Sequence, residues 1–216
     1  MTVLSGHIEL LFFRTLKGET PLHDFEQWLY TGKELESLVT EDEYLDFISL
    51  NYKASGARYE LAKLLRRHID PGRYETWKLK QLLSSVLERT GDYPRAIIAF
   101  YDLYCSGYSF METLAFGFGL PLDSPMSLSS AESYEQLTVK ERDYILNMYY
   151  PAIEGEVRKV MGWLDSGEIV LTGLADEFGH YGFLDRRPSH DKVFTTHAWE
   201  EYRSPNEPKK WWEFWK

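Results

Sequence analysis

Apolar residues recur along most of this chain with the spacing of a helix. In "ASGARYELAKLLRRHID", Ala57, Leu61, Leu64, Leu65 and His68 fall at i, i+4, i+7, i+8 and i+11, one stripe that reads as core, while Arg58, Lys63, Arg66 and Arg67 mostly flank it. "YETWKLKQLLSSVLERTG" repeats the pattern through Leu79, Leu82, Leu83 and Val86 and stops at Gly91. Asp92 then caps "YPRAIIAFYDLYC", which is apolar on most sides and so central. Further on, "LTVKERDYILNMYYPAIEGEVRKVMGWLDSG" predicts a helix interrupted or kinked at Pro151, with Ile153, Val157, Val160, Met161 and Leu164 as its stripe. Helices are predicted over 6–17, 21–31, 40–51, 57–69, 74–90, 93–106, 109–118 and 138–165.

Capping chemistry supports these boundaries. Thr20 and Pro21 read as N-cap and first helical residue. Thr40 with Glu43, Ser109 with Glu112, Ser129 with Glu132 and Thr138 with Glu141 each have capping-box spacing, in which hydroxyl and carboxylate satisfy each other's orphan amides. After 167 the period shortens. "EIVLTG" and "HYGFLD" are β-prone runs that predict a hairpin near 168–185, with "KVFTT" as an extension. The expected fold is mainly α, a multi-helix bundle with a small antiparallel β element near the C-terminus. The loop "GFGLPLDSPMSLSS" suggests a helical domain over 1–120 and a smaller C-terminal part over 121–216, packed as one unit.

Composition narrows the compartment and the partners. No apolar run approaches the length of a membrane span, and "MTVLSGHIELLFF" lacks a basic leader, so a cytoplasmic protein is expected. A single cysteine excludes an internal disulfide, and the neighbours of Cys105 read as those of a buried structural thiol. Net charge is −10 and uneven: residues 1–50 carry ten acids against three bases, and 51–100 carry ten bases against five acids. This balance argues against nucleic acid, whose phosphates need a net basic surface, and for a basic protein partner. The acids of "ELESLVTEDEYLD", Glu36, Glu41, Asp42 and Glu43, are the candidate contact patch; their bland reading is that carboxylates favour a helix N-terminus.

Catalytic signatures are missing from the sequence: it contains no Walker loop, HExxH, CxxC pair or GxSxG. The plausible active-site cluster for an alternative, hydrolase-like reading is His180, Asp185, Arg186, Arg187 and His190, placed between the helical body and the β element. The spacings of His180, His190 and His197 match no ligand signature, so neither a metal nor a cofactor is expected. The tail "PKKWWEFWK" brings Trp211, Trp212 and Trp215 together. Wound at about 100° per residue, they and Phe214 cover an arc of about 160° opposite Lys210, Glu213 and Lys216. Docking on the chain's own body is the favoured fate of this tail, with a partner or homodimer contact next. A membrane interface comes last, because the body is acidic.

The segment 25–69 resembles a stretch found in small bacterial proteins akin to the immunity proteins of polymorphic toxins. The residues carrying the likeness are Phe25, Trp28, Leu29 and Tyr30, then Tyr44, Leu45, Ile48 and Tyr52, then Tyr59, Leu61, Leu64 and Leu65, a pattern of core positions. The resemblance includes no catalytic residue. It implies a cytoplasmic protein that binds and neutralises a toxin, and with the acidic charge the expected function is that of a non-enzymatic binding protein masking a basic toxin domain.

Overall fold

A computed structural model describes residues 4–189 and Lys192. The chain is mainly helical with a small antiparallel sheet, and it divides into two compact units between Trp77 and Lys78.

The first unit holds α1 (Gly6–Lys17), α2 (Leu22–Thr31), α3 (Glu41–Ile48), α4 (Ala57–Arg66) and the first turns of α5 (Pro71–Glu88). Its core is aromatic. Phe12 lies 6.1 Å from Phe25 and 6.2 Å from Phe47 between ring centres, and Leu29, Leu35, Leu61 and Leu65 close around them without exposure. Of the stripe predicted on α4 and just beyond it, Ala57, Leu61, Leu65 and His68 are buried and Leu64 is partly so. Helix boundaries differ where side chains override the pattern. α5 begins earlier than expected because the Asp70 carboxylate accepts the Arg73 N–H at 2.8 Å, with Pro71 as first helical residue. Pro21 rather than Thr20 is the N-cap of α2, with no side-chain cap bond.

The second unit contains the rest of α5, then α6 (Tyr93–Cys105), α7 (Glu112–Leu114), α8 (Leu120–Asp123), α9 (Val139–Tyr149), α10 (Ala152–Ser166), β1 (Ile169–Ala175) and β2 (Tyr181–Asp185). Asp92 caps α6 through the Arg95 N–H, as expected. The hairpin is where the sequence puts it. Ile169 pairs with Asp185 and Leu171 with Phe183, and the register slips before Ala175 meets Tyr181, next to Gly173 at φ 66°. "KVFTT" lies outside the described residues apart from Lys192.

Several expectations are corrected. The single helix over 109–118 is instead a 3₁₀ turn, the brief α7 and a π turn over Ala115–Gly119. The widened turn lets Gly119 approach the backbone of α6 so closely that a Cβ there would sit 2.9 Å from the Ile97 carbonyl oxygen. The helix over 138–165 is interrupted at Pro151 as expected, and the interruption is a full break into two helices: the residue before a proline is driven to extended backbone, and Tyr150 takes ψ 138° ahead of a cis Pro151. Of the capping boxes, Thr40–Glu43 and Thr138–Glu141 form fully. Ser109 falls inside its 3₁₀ turn, and the Ser129 hydroxyl goes to the Glu141 carboxylate at 3.0 Å. The loop proposed as a domain connection lies within the second unit, whose core takes in Leu122, Ala131 and Tyr134. Cys105, the last residue of α6, is exposed rather than buried.

Candidate functional site

Helix α3 is short and acidic, and its ends are held by side chains. At its start the Glu43 N–H donates to the Thr40 hydroxyl at 3.3 Å while the Glu43 carboxylate accepts the Thr40 N–H at 2.9 Å. The backbone bond from Thr40, with its hydroxyl, holds the Glu43 carboxyl below its ordinary range. At its end, two of the carbonyls that a helix leaves orphaned are capped by tyrosines. The Tyr52 hydroxyl donates to the Phe47 oxygen and the Tyr30 hydroxyl to the Ile48 oxygen, both at 3.0 Å. Phe47 points inward with no exposure, its ring 5.7 Å from that of His68. Burial pushes the His68 imidazole down, against the pull of the nearby Glu43.

The outward side of α3 carries Glu41, Asp42, Leu45, Asp46 and Ser49, all exposed. Leu45 is the centre of this arc, one turn from Glu41 and Asp42 behind it and from Ser49 ahead of it. It is 48% exposed, and Tyr30, pinned to the last turn, is 57% exposed. Asp46 is paired with Arg67 at 3.1 Å, and Glu34, in the turn before α3, with His7. Glu36, Glu41 and Asp42 are exposed and make no ion pair among the described residues. Three of the four expected contact acids are therefore open to a partner, whereas the Glu43 carboxylate is engaged in the cap. Tyr30, Leu45 and Tyr59, read above as core positions, lie outside. For Leu45 the signal was present in the sequence: Glu41, Asp42, Asp46 and Ser49, its neighbours on the helix surface, are all polar.

The alternative cluster does not converge. His180 sits at the hairpin tip, bonded to Asp176 at 3.3 Å, and Asp185 is at the far end of β2, about 16 Å away along a strand. Asp185 and Arg187 are both buried and closed on each other, with Arg187 Nε and Nη2 donating to the two carboxylate oxygens at 3.0 and 2.7 Å. Burial works to raise the Asp185 carboxyl, but the Arg187 bonds outweigh it and hold it below its usual range. The Arg187 guanidinium also lies 4.3 Å from the Trp163 ring centre. Arg186 is exposed and gives its N–H to the Glu168 oxygen. His190 lies outside the described residues, as do Trp211, Trp212 and Trp215. A hollow beside Leu16, Leu22, Arg58 and Leu61 in the first unit has about 20 Å³ of space, room for a water and not for a substrate. Among the described residues no group of His, Cys, Asp and Glu could hold a metal, and no helix is long and apolar enough to cross a membrane. Compared with protein-family models, curated proteins and solved structures, the chain matches none.

Proposed function

We propose that this is a non-enzymatic binding protein of the cytoplasm that masks a basic protein domain through the outward side of α3, as the immunity proteins resembled by residues 25–69 would. One observation carries the reading: Glu36, Glu41 and Asp42 are exposed carboxylates without an ion pair among the described residues, on and beside a helix whose ends are held. Unpaired acids on an ordered element leave a negative field available to steer a basic partner, and they add little to the fold itself.

The test begins with a pull-down from native lysate and identification of the retained protein by mass spectrometry. Association of that partner is then followed by stopped flow for the wild type and for the triple reversal Glu36→Lys, Glu41→Lys, Asp42→Lys. The on-rate should fall at least several-fold at low salt and lose most of its salt dependence, with the melting temperature little changed. An on-rate indifferent to the reversal removes this function.

A further inference from the structure

We infer that Leu45 is the anchor of this contact and that the partner meets it with a basic amphipathic helix, its apolar side seated on Leu45 and its lysines or arginines on Glu41 and Asp42. The inference rests on the proposed binding role of α3 and adds the chemistry of what binds.

A half-exposed leucine is ordinary by itself. Leu45 differs in its setting. It is the centre of the exposed arc, and Tyr30, a second large apolar group, is tethered to the same short helix through the Ile48 carbonyl. Interfaces concentrate their binding energy in such a patch, a rigid apolar centre with a charged rim. Rigidity is built in here: the capping box fixes the start of α3, and Tyr52 and Tyr30 fix its end. Little side-chain or backbone ordering is then left to oppose association.

The shape of the patch selects a helix as its occupant. Glu41, Leu45 and Ser49 form an i, i+4, i+8 row, and Asp42 with Asp46 forms the adjoining one. Such rows are the ridges that pack into the grooves of a second helix, and the small Ser49 leaves space beyond Leu45 for it. Strand addition is not open to this unit, since residues 4–77 contain no strand edge among those described. Charge sets the polarity of the contact. Asp46 is neutralised by Arg67, so the free carboxylates stand toward the start of α3, at Glu41 and Asp42, and the apolar groups toward its end. The partner's bases must lie on that first side.

The experiment uses the full chain and synthetic probes followed by fluorescence anisotropy. One probe is a lysine–leucine amphipathic peptide of about four helical turns. A second has alanine for each leucine at equal charge, and a third keeps the lysine–leucine composition with two central prolines that forbid a helix. The wild type should bind the leucine peptide about tenfold more tightly than the alanine one, since seating a leucine is worth about 1.4 kcal/mol or more. Leu45→Ala should remove most of that advantage and leave the affinity for the alanine peptide unchanged. The proline peptide should bind no better than the alanine one. Glu41→Lys with Asp42→Lys should weaken both helical peptides. An advantage that survives Leu45→Ala overturns the anchor, and a proline peptide that binds as tightly as its parent overturns the helical occupant. If the charge reversal leaves every affinity unchanged, the proposed binding role itself fails. Should Leu45→Ala lower the melting temperature, Leu45→Gln, which keeps the side-chain length, replaces it in the same comparison.

Discussion

Asp185→Ala is expected to destabilise the second unit far more than a substitution in a strand-end turn ordinarily would. The Asp185 and Arg187 side chains are about 1% and 3% exposed, and they share two hydrogen bonds at 3.0 and 2.7 Å. Removing the carboxylate strands a guanidinium between the sheet and Trp163, and leaves the Arg187 N–H, which donates to Asp185 Oδ1 at 3.0 Å, without its acceptor. Breaking a buried pair costs about 3–5 kcal/mol, because the remaining charge stays desolvated. The double variant Asp185→Ala, Arg187→Met removes both charges and keeps most of the volume, so only the orphaned amide and a small cavity remain, about 1–2 kcal/mol. Urea unfolding followed by tryptophan fluorescence and circular dichroism measures both. A loss below about 1 kcal/mol in the single variant, or a double variant worse than Asp185→Ala, would refute the buried-pair account. The pH dependence checks it independently. The folded carboxyl is depressed below its unfolded value, so its stabilisation is complete above about pH 4 and is lost as pH falls through the folded value. Asp185→Asn should flatten that acid limb.

The remaining predictions concern the supports of both units. Thr40→Ala and Thr138→Ala each remove a complete capping box and should cost about 1 kcal/mol by chemical denaturation. His68 is held below its ordinary value by burial, so the unfolded chain takes up its proton first; stability of the first unit should decline as pH drops below about 6.5, and His68→Phe should remove that slope in melts at pH values on either side. Gly107→Ala should cost about 2 kcal/mol or more, since φ is 108° and the new Cβ would lie 2.8 Å from the Tyr181 oxygen; a melting temperature unchanged by this substitution contradicts the close approach.

The features legible along the chain are those whose causes are local. Stripes such as Ala57, Leu61, Leu65 and His68 declare the buried side of a helix, because side chains three and four apart share a face whatever lies opposite. The boxes at Thr40 and Thr138 could be read because hydroxyl, amide and carboxylate meet within one turn. The two boxes that failed, at Ser109 and Ser129, have the same letters, but there the backbone of Ser109 was claimed by a 3₁₀ turn and the hydroxyl of Ser129 by the Glu141 carboxylate twelve positions on. Tertiary packing alone decided that Tyr30 stays outside while Phe47 and Leu29 go in, since apolar character says only that a residue gains by burial and a short helix has more apolar positions than its neighbours can cover. The fate of Asp185 was equally hidden. Three successive strong charges, Asp185, Arg186 and Arg187, read as surface or active-site chemistry in one dimension, and only the sheet and Trp163, brought over the first and last by folding, turn Asp185 and Arg187 into a closed pair, because the energy of a charge depends on what excludes water from it.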